Sequence, residues 1–296
     1  MKKKSIFNAS FEESINLEND DFRKFNQQSY DDDDLLKYFE NGGPSTKFKL
    51  TYFFLSLIFP IGINYLGTVL TQDAVTQKQF MGYPTLRYNI LPSRLFLIFL
   101  IAWLIAIVLG KYFNQTFILP YRLQFHIQVS SMIWMVIEMN LFFLSLYTPT
   151  FTVWGVLFLF ILFIMAGYVM INTQLRRLKR ILYGEDNPIS AMERIVKKIS
   201  VYGMGILGIG VIINIIMKLF SVNIAERLEY FLFSLVWPVV NLAVLAFFIF
   251  VELSHFLPAY YKLKYPELYR KYEGKSVEEW YGKKYLKKHK ELTENE

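Results

Sequence analysis

The sequence predicts an all-α integral membrane protein: a polytopic bundle of six transmembrane helices in the plasma membrane, with both termini cytoplasmic. Three observations carry this expectation. The chain of 296 residues is 54% hydrophobic and only 19% charged, whereas ordinary soluble domains carry about 25% charged residues. Its apolar residues gather into six long runs without the alternation of barrel strands. In lipid such runs are helices, because a helix satisfies its own backbone hydrogen bonds. Lys and Arg, finally, collect in alternate loops, as cytoplasmic loops do. The same composition excludes a disordered chain, and the absence of cysteine excludes disulfides, thiolate nucleophiles and Cys-ligated metals.

The division follows from the runs. Residues 1–47 form a polar N-terminal arm, 48–253 the transmembrane domain and 254–296 a basic, aromatic tail. The spans are centred in 50–70, 95–112, 125–146, 151–171, 199–220 and 230–253, each near the roughly 20 residues that cross a 30 Å hydrocarbon core. With both termini inside, 27 of the 32 Lys and Arg residues lie on the cytoplasmic side and 5 outside.

In the arm, Asp31, Asp32, Asp33 and Asp34 lead into a short apolar stretch, with Asp34 as the N-cap of a small helix. The spacing lacks the alternating ligands and glycine of a calcium loop, so a solvated helix start is expected and no metal site. Past the fourth span, Leu175, Leu178 and Leu182 recur at helical spacing among Arg176, Arg177, Lys179 and Arg180. They predict a continuation of that helix beside anionic headgroups. The tail interleaves tyrosines with lysines. Single-stranded nucleic acid normally needs a recognisable platform, so the tail reads as an interfacial anchor and the lipid bilayer as its partner, with no nucleic acid.

Within the spans, Glu138 is the only carboxylate near mid-membrane, and no Lys or Arg lies at comparable depth. A carboxyl group there is expected to keep its proton or to be neutralised by a bound cation. Gln124, Ser131, Glu138 and Ser145 recur every seven residues, so one face of the third span points into the bundle. By depth, Asn241 is the nearest candidate partner, with Asn64 and Asn214 further out. The group reads either as interhelical hydrogen bonding or as a site that handles protons or ions. Gly203, Gly205, Gly208 and Gly210 predict a packing seam in the fifth span, and Pro60 and Pro238 predict kinks. Glu252 and His255 read as a surface contact at the inner end of the sixth span.

The first outer loop is the one extracellular segment with reach. Phe80, Met81, Tyr83 and Tyr88 are the anchor types on which binding energy concentrates, so the loop reads either as a recognition surface or as a cover over the outer mouth of the bundle. HExxH, GxSxG and P-loop patterns are missing and the three histidines are scattered. No catalytic site, cofactor or metal is therefore expected.

The tail sequence Lys264-Tyr265-Pro266-Glu267-Leu268-Tyr269-Arg270-Lys271-Tyr272, followed by Glu279-Trp280-Tyr281-Gly282-Lys283-Lys284-Tyr285, resembles that of uncharacterised multi-pass membrane proteins of Gram-positive bacteria. These are the immunity or accessory proteins found beside bacteriocin or secreted-toxin genes. The resemblance covers the tail and the multi-helix layout and carries no site residues with it. It implies a non-catalytic role in protection against, or handling of, a membrane-active toxin or secreted protein. The alternative from the residues alone is a secondary transporter or channel with a protonatable site at Glu138.

Overall fold

The computed structural model describes residues 4–19, 45–110, 115–184 and 234–292, together with Arg194, Lys198 and Tyr202. The fifth span, its glycine seam, Asn214 and the Asp34 helix start lie outside the described residues. The described chain is mostly helical. Among the described residues, three stretches are long and apolar enough to cross a membrane: Lys49–Gln77, Thr116–Tyr183 and Val236–Lys264, with Ser93–Leu109 a shorter apolar helix.

A capping box opens the chain. Ser10 accepts from the Glu13 backbone N–H and Glu13 from that of Ser10, starting helix α1 (Phe11–Ile15). The first long stretch is α2 (Thr46–Ser56), a π segment (Leu57–Gly62) and α3 (Ile63–Gln77). Phe59 leaves helical geometry at φ −90°, ψ 163°, because the ring of Pro60 disfavours a helical residue before it. The expected kink at Pro60 is thus present. Strands β1 (Gln79–Phe80) and β2 (Tyr83–Pro84) then make a tight hairpin, with Phe80 paired to Tyr83. Helix α4 (Ser93–Leu109) returns from it.

The next stretch runs through α5 (Leu119–Leu123), a π segment (Gln124–Val129) and α6 (Ser130–Tyr183). Helical on both sides of one residue, it doubles back. Gln124 Nε2 binds Glu252 at 3.0 Å while Gln174 Nε2 binds Ser254 Oγ at 2.6 Å. In a straight helix those two glutamines would stand roughly 75 Å apart. The reversal falls at Thr152, with φ 62° and ψ 162°. The sequence places a loop at Thr148, Pro149 and Thr150; the structure keeps them helical, with Thr148 Oγ1 bonded to Leu144 O at 2.7 Å. The second leg carries a strongly exposed apolar face, with Trp154 80%, Phe158 60% and Ile164 71% accessible, which suits contact with acyl chains.

The last long stretch is α7 (Val236–Ala246), a π segment (Phe247–Glu252) and α8 (Leu253–Lys264). Pro238 falls in the first turn of α7, where no intrahelical N–H is needed. Leu235 is a turn between helical Ser234 and α7, and the helix before Ser234, against which a kink would be measured, lies outside the described residues. Short helices α9 (Pro266–Tyr272), α10 (Val277–Tyr281) and α11 (Lys283–Leu286) complete the tail.

Three apolar clusters hold these elements. Phe96, Trp103 and Trp134 join α4 to the first leg of α6. Ala74, Phe143, Leu146, Tyr147, Val156 and Trp237 close the end near the hairpin. The third cluster unites Ile6, Ala9 and Leu17 with Leu178, Leu182, Leu257, Tyr261, Tyr269 and Trp280. The arm and tail, expected as separate segments, therefore pack together. Tyr261, Tyr269, Trp280 and Tyr281 are buried in protein, which corrects their reading as lipid anchors. Gly282 (φ +82°) lets the tail turn close against the start of the second stretch, where a Cβ would collide with Thr116 Oγ1.

Candidate functional site

Two regions carry the residues singled out from sequence. The first lies among the spans. Glu138 is buried, at 2% accessibility, on the first leg of α6. Its Oε1 accepts the indole N–H of Trp134, one turn earlier on the same helix, as residues at i and i+4 can. Its Oε2 is buried and finds no hydrogen-bond partner among the described residues. Asn64 and Thr68, also one turn apart, share a buried face of α3, and Asn64 Nδ2 and Thr68 Oγ1 likewise find no partner. Helix α3 packs on α6. Tyr65 meets Phe96 at 5.6 Å and Phe96 meets Trp134 at 5.7 Å, so Asn64 and Thr68 stand at about the level of Trp134 and Glu138.

Asn241 is not the partner of Glu138. Its Oδ1 accepts from Asn140 Nδ2 at 2.9 Å, and its Nδ2 donates to the Trp237 carbonyl at 3.0 Å. Asn140 Oδ1 in turn accepts the Trp237 indole N–H at 2.8 Å. This closed circuit of Asn140, Asn241 and Trp237 joins α6 to α7. Asn140 lies two residues beyond Glu138 and off its heptad stripe. The readable signal for Asn140 is simply a second amide inside an apolar run. Glu252, read as a surface partner of His255, is instead buried and accepts both contacts from Gln124 Nε2 at 3.0 Å. The His255 ring lies against Tyr121, with centroids 4.8 Å apart.

The second region is the hairpin after α3. Phe80 and Tyr83 turn inward onto the cluster around Trp237, with Phe80 6.4 Å from Phe142. Thr85 Oγ1 donates to Ala74 O at 3.1 Å and Leu86 N–H to Ser145 O at 3.0 Å. The loop is therefore fastened over that end of the helices. Of the four expected anchors, only Met81 (37%) and Tyr88 (65%) are exposed. Met81 occupies the turn at φ 50°, followed by Gly82 at φ 78°, a turn whose first position ordinarily takes Asn, Asp or Gly.

Among the described residues no group of three or more His, Asp or Glu side chains could hold a metal. No family model matches the chain, and neither a curated protein nor a solved structure matches it.

Proposed function

We propose that this chain is a non-catalytic plasma-membrane protein that binds a protein partner at its outer face, in immunity to, or accessory handling of, a membrane-active toxin or secreted protein. The observation that carries this reading is the hairpin tip. A fastened cap holds Met81 in a left-handed conformation that favours glycine or asparagine, which costs of order 1–3 kcal/mol, and leaves its side chain exposed, as is the ring of Tyr88 further along the same loop. A strained, exposed apolar residue on a rigid support is a recognition feature rather than a packing one. Six crossings with both termini cytoplasmic complete the proposal. The packing of Ile6, Ala9 and Leu17 on Leu257 and Tyr261 supports it, since a chain whose ends share one face crosses an even number of times. The 27-to-5 charge asymmetry assigns that face to the cytoplasm.

The test is expression in a sensitive bacterium challenged with a panel of membrane-active peptide toxins. Met81→Ser with Tyr88→Ser should abolish protection while membrane insertion and protein level stay normal. Protection that survives the double change, or is absent against the whole panel for the unmodified chain, overturns the proposal.

A second reading, a secondary transporter or channel, has its own support in the unpartnered Oε2 of Glu138 beside helix α3. Glu138→Gln retains an acceptor for Trp134 and removes the titratable proton. Proton or cation flux in liposomes that vanishes in this variant, with folding intact, would favour transport. A silent variant leaves Glu138 as interhelical hydrogen bonding.

A further inference from the structure

The geometry points to a peptide-binding groove in the C-terminal tail, whose ligand is the chain's own N-terminal segment, residues 5–17, held as a detachable latch.

The segment is gripped largely through its backbone. Tyr183 hydroxyl donates to Ser5 O at 2.6 Å, Tyr260 hydroxyl to Phe7 O at 3.1 Å and Tyr265 hydroxyl to Ala9 O at 3.0 Å. Tyr261 hydroxyl donates to Ile6 O and accepts the Ala9 N–H at 3.0 Å. Lys264 Nζ adds a bond to Phe7 O at 2.9 Å. Main-chain bonds of this kind give affinity, while pockets for particular side chains give specificity, as in other modes of peptide capture. Here Ile6 (4%), Ala9 (0%) and Leu17 (3%) are the buried anchors. Phe11 presents its ring edge-on to Tyr265, Tyr269 and Tyr272, with centroids 6.4, 5.2 and 6.3 Å away. Ala9 is fully enclosed, its backbone N–H and carbonyl held by the Tyr261 and Tyr265 hydroxyls.

Three features make the segment a ligand rather than a piece of the module. Its helix α1 has 5 residues, too few to persist alone, so its order comes from the groove. It is joined covalently to α2 through the chain, so a released segment stays at a high effective concentration beside the groove. The tail elements are also held without it: Tyr281 hydroxyl donates to Glu267 at 2.7 Å and Lys262 pairs with Glu273 at 2.6 Å, while Trp280 stacks on Phe117 of the second stretch at 4.5 Å. Seated, the latch ties the N-terminus to the ends of α6 and α8, because Asn16 Nδ2 also reaches Leu182 O at 3.4 Å.

The test uses the whole chain in nanodiscs, with a protease site replacing Asp31, Asp32, Asp33 and Asp34. After cleavage, a fluorescent peptide of residues 4–19 should displace the cut piece and bind at micromolar concentration. The uncut chain should bind it at least 100-fold more weakly, because its own segment competes. Tyr261→Phe with Lys264→Met should weaken the peptide at least 10-fold while hydrogen-exchange protection across 266–286 persists. Equal binding to cut and uncut chains would overturn the inference. So would a cut piece that never exchanges, or protection in 266–286 that is lost with the piece and not restored by added peptide.

Discussion

Asn140 illustrates how a single amide can hold two spans together. It donates to Asn241 and accepts from Trp237, so all three polar side chains are satisfied by one another. Interhelical bonds in membranes contribute about 0.6 kcal/mol on average and up to about 1.7. Asn140→Leu strands two partners at once and should lower stability by about 1–2 kcal/mol, read from thermal denaturation in detergent. Adding Trp237→Phe should then cost less than it does alone, since the bond it removes is already gone. Outside the spans, charge matters in a different way. The Ser10 backbone N–H holds the Glu13 carboxyl below its ordinary value of 4.5. Burial pushes Glu267 upward, but the Tyr281 hydroxyl and Arg270 outweigh it and leave that group lowered too. A carboxylate lowered on folding contributes stability that is present above its unfolded value and lost as pH falls through the folded one. Acidification below about pH 4.5 should therefore loosen residues 4–19 and 266–286 before the spans. Hydrogen exchange at stepped pH checks this; uniform loss of protection would contradict it.

Among the elements, the doubled-back helix is where local rules and tertiary demand conflict most. Thr152 is β-branched and sits at φ 62°, ψ 162°, a region essentially reserved for glycine. The reversal persists because both legs are fixed elsewhere: Phe143 and Tyr147 on the first and Phe160 on the second all pack on Trp237, with centroids within 6.2 Å. Thr152→Gly should stabilise the protein by about 1 kcal/mol, the relief of strain exceeding the entropy lost on ordering a glycine. A drop in melting temperature would show that Thr152 is not strained. The terminal capping boxes Ser10/Glu13 and Ser276/Glu279 follow the opposite logic. Each is a Ser-x-x-Glu signature written openly in the chain, and each starts a helix that only tertiary packing makes worthwhile.

At the scale of the whole molecule, the packed ends constrain topology. Cysteines replacing Lys4 and Lys283, both well exposed at 53% and 81% of their side chains, should be shielded together from an impermeant thiol reagent in intact cells. One at Thr76, beside the hairpin, should react. Labelling of Lys4 and Lys283 positions from opposite sides would be incompatible with the cluster that joins Ile6 to Tyr261.

The sequence by itself determined the helical class and the stretches long and apolar enough to cross a membrane, because such runs follow from lipid having no hydrogen-bonding partners for backbone. It also marked Pro60, whose effect on Phe59 is local and needs no fold. What only the tertiary structure decided are the pairings. Depth along a helix ranks Asn241 near Glu138, but the direction a side chain faces depends on the rotation of each helix about its axis. That rotation is set by aromatic packing around Trp237 and Trp134. The tail's tyrosines look alike in sequence whether they face headgroups or a peptide. Their burial against residues 5–17 comes from contacts some 250 positions away along the chain, which no local pattern encodes.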